Sequence, residues 1–278
     1  MKSKKTRPKP HFGMGWVPDH PDQRDFTYTT PQAVFATLPT TVDLRKKCPP
    51  VYNQECLGSC TANAIAAAIE FEQIRQNKKQ AFMPSRLFIY YNERAIEGTV
   101  SSDSGAQIRD GIKSVVNLGV CPEKEWPYTL GTCKIVGEDP TTGEDIYDTG
   151  SKFKQKPLKS CYTDATKFQV LQYQSVMNVA QQMKGCLAEG FPFVFGFTVY
   201  ESFYNIGKNG IMPLPAHNEQ KVGGHAVMAV GYNDKKQVFI IRNSWGTSWG
   251  DKGYFYMPYA FITSNNCNDF WTIRIVEL

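Results

Sequence analysis

No apolar run in this 278-residue chain is long enough to cross a bilayer. The longest, around Phe191 to Tyr200, has about half of the roughly 20 residues that a spanning helix needs. Eight cysteines stand at 48, 56, 60, 121, 133, 161, 186 and 267. No two have C-x-x-C spacing and none has a histidine at finger distance, so no structural zinc site is expected. There is no Walker loop, no H-E-x-x-H and no EF-hand loop, and Gly13-Met14-Gly15 lacks the third glycine and the preceding strand of a dinucleotide site. The absence of any N-x-[ST] acceptor withholds one common mark of a eukaryotic secreted protein. Neither sign of charge dominates, since 31 Lys and Arg against 26 Asp and Glu leave +5. Five of the positive charges (Lys2, Lys4, Lys5, Arg7, Lys9) sit in an N-terminal tail without an acidic residue, which reads as a solvated tail rather than a nucleic-acid or membrane contact. The tail looks like the charged start of a secretion signal, yet no apolar core follows, so a standard cleaved signal peptide is not expected. The compartment stays open between the cytoplasm and a non-classical export route, because eight thiols suit either a reducing or an oxidising one.

What is present describes an ordinary globular chain. Hydrophobic residues at 41%, charged at 21% and aromatic at 13% exclude disorder, collagen and coiled coil, and the length suits one large domain or two lobes. Residues 1–37 form an arm whose prolines at 8, 10, 18, 21 and 31 forbid a continuous helix. Trp16, Phe26 and Tyr28 carry more aromatic surface than a solvated linker needs, so part of the arm is expected to pack on the body. Helical patterns then dominate. Thr61 to Asn77 is rich in alanine, Pro84 to Glu97 opens with Pro and a nearby Ser and stops at Gly98, and Gly105 to Leu118 ends at Gly119. Within 133–161 the run KIVGEDPTTGEDIYD predicts a hairpin turning at Pro140-Thr141-Thr142-Gly143. Strands follow at Phe193 to Val199, His225 to Tyr232, Val238 to Arg242 and Gly253 to Met257, with one helix at about Ser175 to Ala188. Helices before strands is an α+β order. It predicts a helical lobe at about 59–132 and a mainly β lobe at about 162–278, separated by the hairpin insertion.

One cysteine and one histidine have informative surroundings. Cys60 stands at the start of the alanine-rich helix, where the partial positive charge and unpaired N–H groups favour thiolate over thiol unless burial opposes them. On position alone it is equally readable as a small buried hydrophobe or half of a disulfide. Of four histidines, only His225 opens a structured element, after Gly223 and Gly224, and a strand end fixes a general base better than a loop does. Asn243 follows a strand 18 positions later (243 − 225), and its side-chain carbonyl suits the orientation of an imidazole, with Trp245 as a roof over that bond. Gln54, six positions before Cys60 (60 − 54), offers an amide N–H to a developing oxyanion.

Asn53-Gln54-Glu55-Cys56-Leu57-Gly58-Ser59-Cys60, Gly224-His225-Ala226-Val227 and Asn243-Ser244-Trp245-Gly246 together resemble the three characteristic blocks of the papain family of cysteine peptidases, in the family's order. Leu38-Pro39 through Leu44-Arg45 resembles the start of a mature enzyme, and Gly119-Val120-Cys121-Pro122-Glu123 with Trp126-Pro127-Tyr128 resembles the middle segment, so the likeness covers 38–278. It implies a helical lobe facing a β-barrel lobe across a cleft, with Cys60 as nucleophile, His225 as acid/base, Asn243 as orienting residue and Gln54 as oxyanion donor. It also implies substrate contacts at Gly105, Gly224 and Trp245, no metal or cofactor, a peptide or protein substrate, and a monomer. A Cys–His acyltransferase of transglutaminase type and a non-catalytic binding protein on the same fold are the alternatives.

The departures from the family pattern are specific. Thr61 stands where the family has Trp and Glu55 where it has Gly. Cys56 precedes the nucleophile by four positions (60 − 56) instead of three, which leaves the family's usual disulfide open, and a local Cys133–Cys161 bridge is an alternative. An arm of about 37 residues is too short for the self-folding pro-domain of larger members. It resembles that of compact bacterial members, as a short inhibitory segment lying extended in the cleft and giving Trp16 or Phe26 to a pocket, or as a cover for an apolar patch on one lobe.

Overall fold

The computed structural model describes residues 12–131, 133–138, 145–148 and 150–278. The basic tail at Lys2 to Lys9 and the turn at 140–143 lie outside them. In chain order the elements are β1 (Thr27–Tyr28), α1 (Gln32–Ala36), β2 (Thr41–Asp43), α2 (Cys60–Asn77), α3 (Arg86–Glu97), α4 (Ile108–Asn117), β3 (Lys134–Glu138), β4 (Asp145–Asp148), α5 (Lys159–Ala165), β5 (Val170–Val176), α6 (Ala180–Ala188), β6 (Phe193–Tyr200), β7 (Lys221–Asn233), β8 (Val238–Arg242), β9 (Tyr254–Pro258), α7 (Tyr259–Ile262) and β10 (Cys267–Val276). This is the mixed α+β content expected, helices first and strands second.

α2 is the central helix. Its first turns are Cys60-Thr-Ala-Asn-Ala-Ile-Ala-Ala-Ala-Ile, every residue of which is buried. The small side chains let it lie between α3 and α4 on one side and β7 and β10 on the other, so a helix apolar all round is here a core helix. α3 starts where Ser85 accepts a hydrogen bond from the Phe88 N–H and ends at Gly98, whose φ of 74° is the left-handed C-terminal conformation that glycine adopts without strain.

The sheet runs β1-β5-β10-β6-β7-β8-β9 as an open path, with β2 pairing onto β7. β6, β7, β8 and β9 pair antiparallel in sequence order, and Phe193, Phe195 and Phe197 on β6 are fully buried. β3 and β4 pair antiparallel as the hairpin arms. The arm contributes a strand of its own, since β1 joins β5 in parallel and Tyr28 is buried there.

Candidate active site

α2 begins at Cys60. The preceding Ser59 makes no side-chain cap. Its hydroxyl instead meets Tyr128 Oη at 2.7 Å and accepts from Asn63 Nδ2 at 3.0 Å, which pins the helix start to the loop behind it. The Cys60 sulfur is fully buried and hydrogen-bonds the N–H groups of Ala226 and Gly15. Burial pushes its thiol up to about 12, beyond what those N–H groups and the helix start pull down, so the thiolate expected from position alone is not the state of this form.

His225 is the fifth residue of β7, in the interior of a 13-residue strand rather than at its opening. It is also fully buried, and its Nε2 lies 2.8 Å from Asn243 Oδ1. That oxygen also accepts from the Ser244 N–H at 2.8 Å, so it is an acceptor and Nε2 carries the proton. Nδ1 therefore presents a lone pair, and it is buried without a partner. Burial holds the imidazole down to about 4, opposed in part by Asn243. Trp245 covers the ring at a centroid distance of 4.8 Å.

Gln54 is fixed at both ends of its amide. Oε1 accepts from Ser244 Oγ at 2.5 Å, and Nε2 donates to the Gly13 and Leu57 carbonyls at 2.9 and 3.0 Å. Gly13 belongs to the arm, which runs through the whole site. Phe12 stacks on Trp245 at 4.2 Å and 7°, and the Gly13 N–H donates to the Glu55 carbonyl. The Gly15 and Trp16 N–H groups both reach the Gly224 carbonyl at 3.1 Å. Ala106 donates to the Gly15 carbonyl at 2.7 Å and accepts from the Val17 N–H at 3.0 Å. The glycines are required by contact. A Cβ on Gly15 would stand 1.8 Å from the Gly58 carbonyl oxygen, and one on Gly105 would stand 2.0 Å from the Gly15 oxygen.

Cys60, Gln54, Gly105, Gly224 and Trp245 all meet the same arm segment, and His225 and Asn243 are bonded to each other beneath Trp245. Towards the arm the backbone pairing is made by Ala106, while Gly105 supplies room and donates its N–H to Tyr90 Oη. Trp16 is buried against Gly196, with Nε1 donating to Asp269 Oδ2 at 2.9 Å, whereas Phe26 is 79% exposed and fills no pocket. Of the described part of the arm, residues 12–17 lie against the site and Thr27–Tyr28 pair with β5. Thr61 uses the buried position to donate to Glu93 Oε1 at 2.6 Å. Glu55, at the site where the family has Gly, has φ 51°, a left-handed conformation that glycine adopts without strain. Cys56 is bonded to Cys133, and Cys161 is free, which excludes the local Cys133–Cys161 bridge.

The residues that sequence reasoning missed are those that hold others. Ser244 sits inside the Asn-Ser-Trp-Gly block and links Gln54 to Asn243. Tyr128, in Trp126-Pro127-Tyr128, donates to the Gln54 backbone carbonyl at 3.0 Å. Asp19, Arg109 and Asp269 anchor the arm beyond the cleft, and the one legible trace of that was Asp19 next to Pro18 and Trp16 in an otherwise polar stretch.

Residues 38–269 match the papain family of cysteine proteases. An uncharacterized peptidase C1-like protein of Acanthamoeba polyphaga mimivirus is 39% identical over 289 aligned residues, which take in 94% of this chain and 86% of that protein. The crystal structure of xylellain, a cysteine protease from Xylella fastidiosa, matches with a TM-score of 0.84 at 49% identity, covering 98% of this chain and 99% of that one. A proCathepsin B of Trypanosoma congolense shares the fold at 17% identity, with a TM-score of 0.71 over 94% of this chain and 85% of that one. With two thirds of the chain and more matched in sequence and almost all of it in structure, this protein belongs to the papain family of cysteine proteases.

Proposed function

We propose that the protein is a latent cysteine peptidase. Cys60, His225, Asn243 and Gln54 hydrolyse a peptide bond through a thioester, and residues 12–17 of the protein's own arm hold the cleft closed. The observation that carries the reading is the buried imidazole, with Nε2 fixed on Asn243, Nδ1 left without a partner, and the next residue's N–H on the Cys60 sulfur. Once the arm leaves, water reaches both groups and the burial that keeps them neutral is relieved. The Cys60 proton passes to His225 Nδ1, and the thiolate attacks the substrate carbonyl carbon. The oxyanion accepts from Gln54 Nε2 and the Cys60 N–H. Collapse expels the amine, which takes the proton from Nδ1. The same nitrogen then draws a proton from the water that cleaves the thioester, returning the thiol. A peptide carbonyl, that of Gly13, already sits on Gln54 Nε2.

Hydrolysis of a fluorogenic peptide by the chain whose arm is dislodged by Gly15→Ala tests this, with the further changes made in that background. Cys60→Ser and His225→Ala should each lose on the order of 10⁴ or more in kcat/KM, and Gln54→Ala about 10²–10³. Undiminished hydrolysis by Cys60→Ser ends the reading. With an amine acceptor added, transfer outpacing hydrolysis moves the assignment to an acyltransferase.

A further inference from the structure

Cys121 and Cys161 lie outside the catalytic cleft and no step above uses them. Cys121 precedes Pro122 in the middle segment, and Cys161 is on α5, at the end of the 133–161 insertion. Both are buried, with exposures of 0% and 1%. Their sulfurs and a Glu125 carboxylate oxygen lie within 4.8 Å of one another, and the two thiols hydrogen-bond. The backbones around them are already clamped. The Val120 N–H donates to the Phe168 carbonyl at 3.2 Å, the Ser85 N–H to the Cys121 carbonyl at 2.9 Å, and Gly119 packs directly on the Ala165 carbonyl. Two thiols so held face each other across an already formed contact, which is the arrangement a disulfide needs.

We propose that Cys121 and Cys161 are a disulfide-forming pair, closed by exchange with a small-molecule disulfide such as oxidised glutathione. One thiolate attacks the glutathione disulfide, forming a mixed disulfide and releasing one glutathione thiolate. The second thiolate displaces the other glutathione, so two protein thiols and one glutathione disulfide become one protein disulfide and two glutathione thiols. Together with Cys56–Cys133, the bond pins both ends of the hairpin insertion to the helical lobe, Cys133 at its start and Cys161 at its end. Metal binding is the weaker use of this cluster, because a closed structural zinc site takes four ligands and, among the described residues, three converge here. Burial raises the Cys121 thiol, so the pair exchanges slowly once folded and the bond forms during folding.

The test uses full-length Cys60→Ser protein, which cannot digest itself. It is refolded from the reduced, denatured state in a glutathione buffer oxidising enough to close Cys56–Cys133, alkylated in denaturant without reductant, and mapped by mass spectrometry. The expected result is a second cross-linked peptide pair joining Cys121 to Cys161. The loop spans 40 positions (161 − 121), so Cys121→Ser and Cys161→Ser should each lower Tm by on the order of 10 °C without reductant, with most of the difference gone under reducing conditions. Alkylation of both cysteines while Cys56–Cys133 is closed overturns the proposal. So does about one equivalent of zinc that is retained with both thiols free and lost in either variant.

Discussion

Gln54 shows how much of a catalytic geometry depends on a neighbour that does no chemistry. Its Nε2 points into the cleft because Ser244 Oγ occupies its Oε1, and the Ser244 N–H shares the Asn243 oxygen that fixes His225. Ser244→Ala removes the bond that selects this rotamer of the amide. It should lower kcat by about tenfold with little change in KM, since the lost positioning matters most in the transition state, and steady-state kinetics on a peptide substrate checks the split. Glu55 is a second residue-scale case. An L side chain at φ 51° costs roughly 1 kcal/mol or more that glycine does not incur, and the exposed Glu55 carboxylate sets against it a long 3.5 Å contact from Asn53 Nδ2 and a 3.8 Å approach to Cys133 Sγ. Glu55→Gly should therefore raise Tm by about 2–4 °C, measured by thermal melting. The four positions proposed for catalysis were legible in the sequence because each belongs to a short block whose residue types such chemistry demands. Ser244 and Tyr128 were not, because a positioning residue is recognised by what it touches.

Among the elements, the arm is the one whose role depends on contacts the sequence does not display. Trp16 Nε1 and the Asp19 N–H share Asp269 Oδ2, at 2.9 and 2.8 Å. Asp19 itself accepts from Trp271 Nε1 and from the Arg109 N–H, and the Arg109 guanidinium bonds the His20 carbonyl and Asp25. Burial first, and then the neighbouring Asp269 charge, push the Asp19 carboxyl up to about 7, against the pull of the Arg109 N–H and Trp271. Asp269 is raised as well, again chiefly by burial. A carboxyl raised in the docked arm binds its proton more tightly there than in a released one. Its contribution to docking is fully present below the ordinary carboxylate range near 4 and is lost as pH rises through about 7. His225, held down in the docked form, acts in the opposite sense below its ordinary range near 6.5. The two are separated by Asp269→Asn, which removes the charge beside Asp19 and keeps an oxygen to accept from Trp16. The rate of Cys60 alkylation, taken relative to a variant with the arm displaced, should rise between pH 6 and 8 in the natural protein. The rise should shrink or move to lower pH in Asp269→Asn, because the charge that helps hold the Asp19 carboxyl up is gone. An identical profile in both contradicts the coupling. Gly13-Met14-Gly15 was legible only as a failed phosphate loop. Its glycines serve instead the close passage of backbone against Gly58, Gly105 and Leu57.

At the scale of the whole molecule, the helix-then-strand order was readable because α2, β6 and β8 are buried on most sides and carry long apolar or alanine-rich runs. β5 and β10 were not read, for an identifiable reason. β5, Val-Leu-Gln-Tyr-Gln-Ser-Val, is half polar and pairs on one side with the two-residue β1 of the arm. β10 lies between β5 and β6, but Asp269 at φ 60° interrupts its pairing with β6 and breaks the alternation that marks a strand. The arm thus reaches two places at once, the cleft through residues 12–17 and the sheet through Tyr28. Alkylation by a thiol-directed epoxide followed by peptide mapping reads at once whether Cys60 is the nucleophile and whether the arm masks it. It should compare the natural chain with Gly15→Ala, in which the new Cβ meets the Gly58 carbonyl oxygen at 1.8 Å only while the arm is docked. A single adduct on Cys60, formed at least about tenfold faster in Gly15→Ala and absent when His225 is replaced by Ala, is the predicted result. Equal rates in the two proteins contradict the mask, and no adduct on Cys60 in either under reducing conditions contradicts the nucleophile.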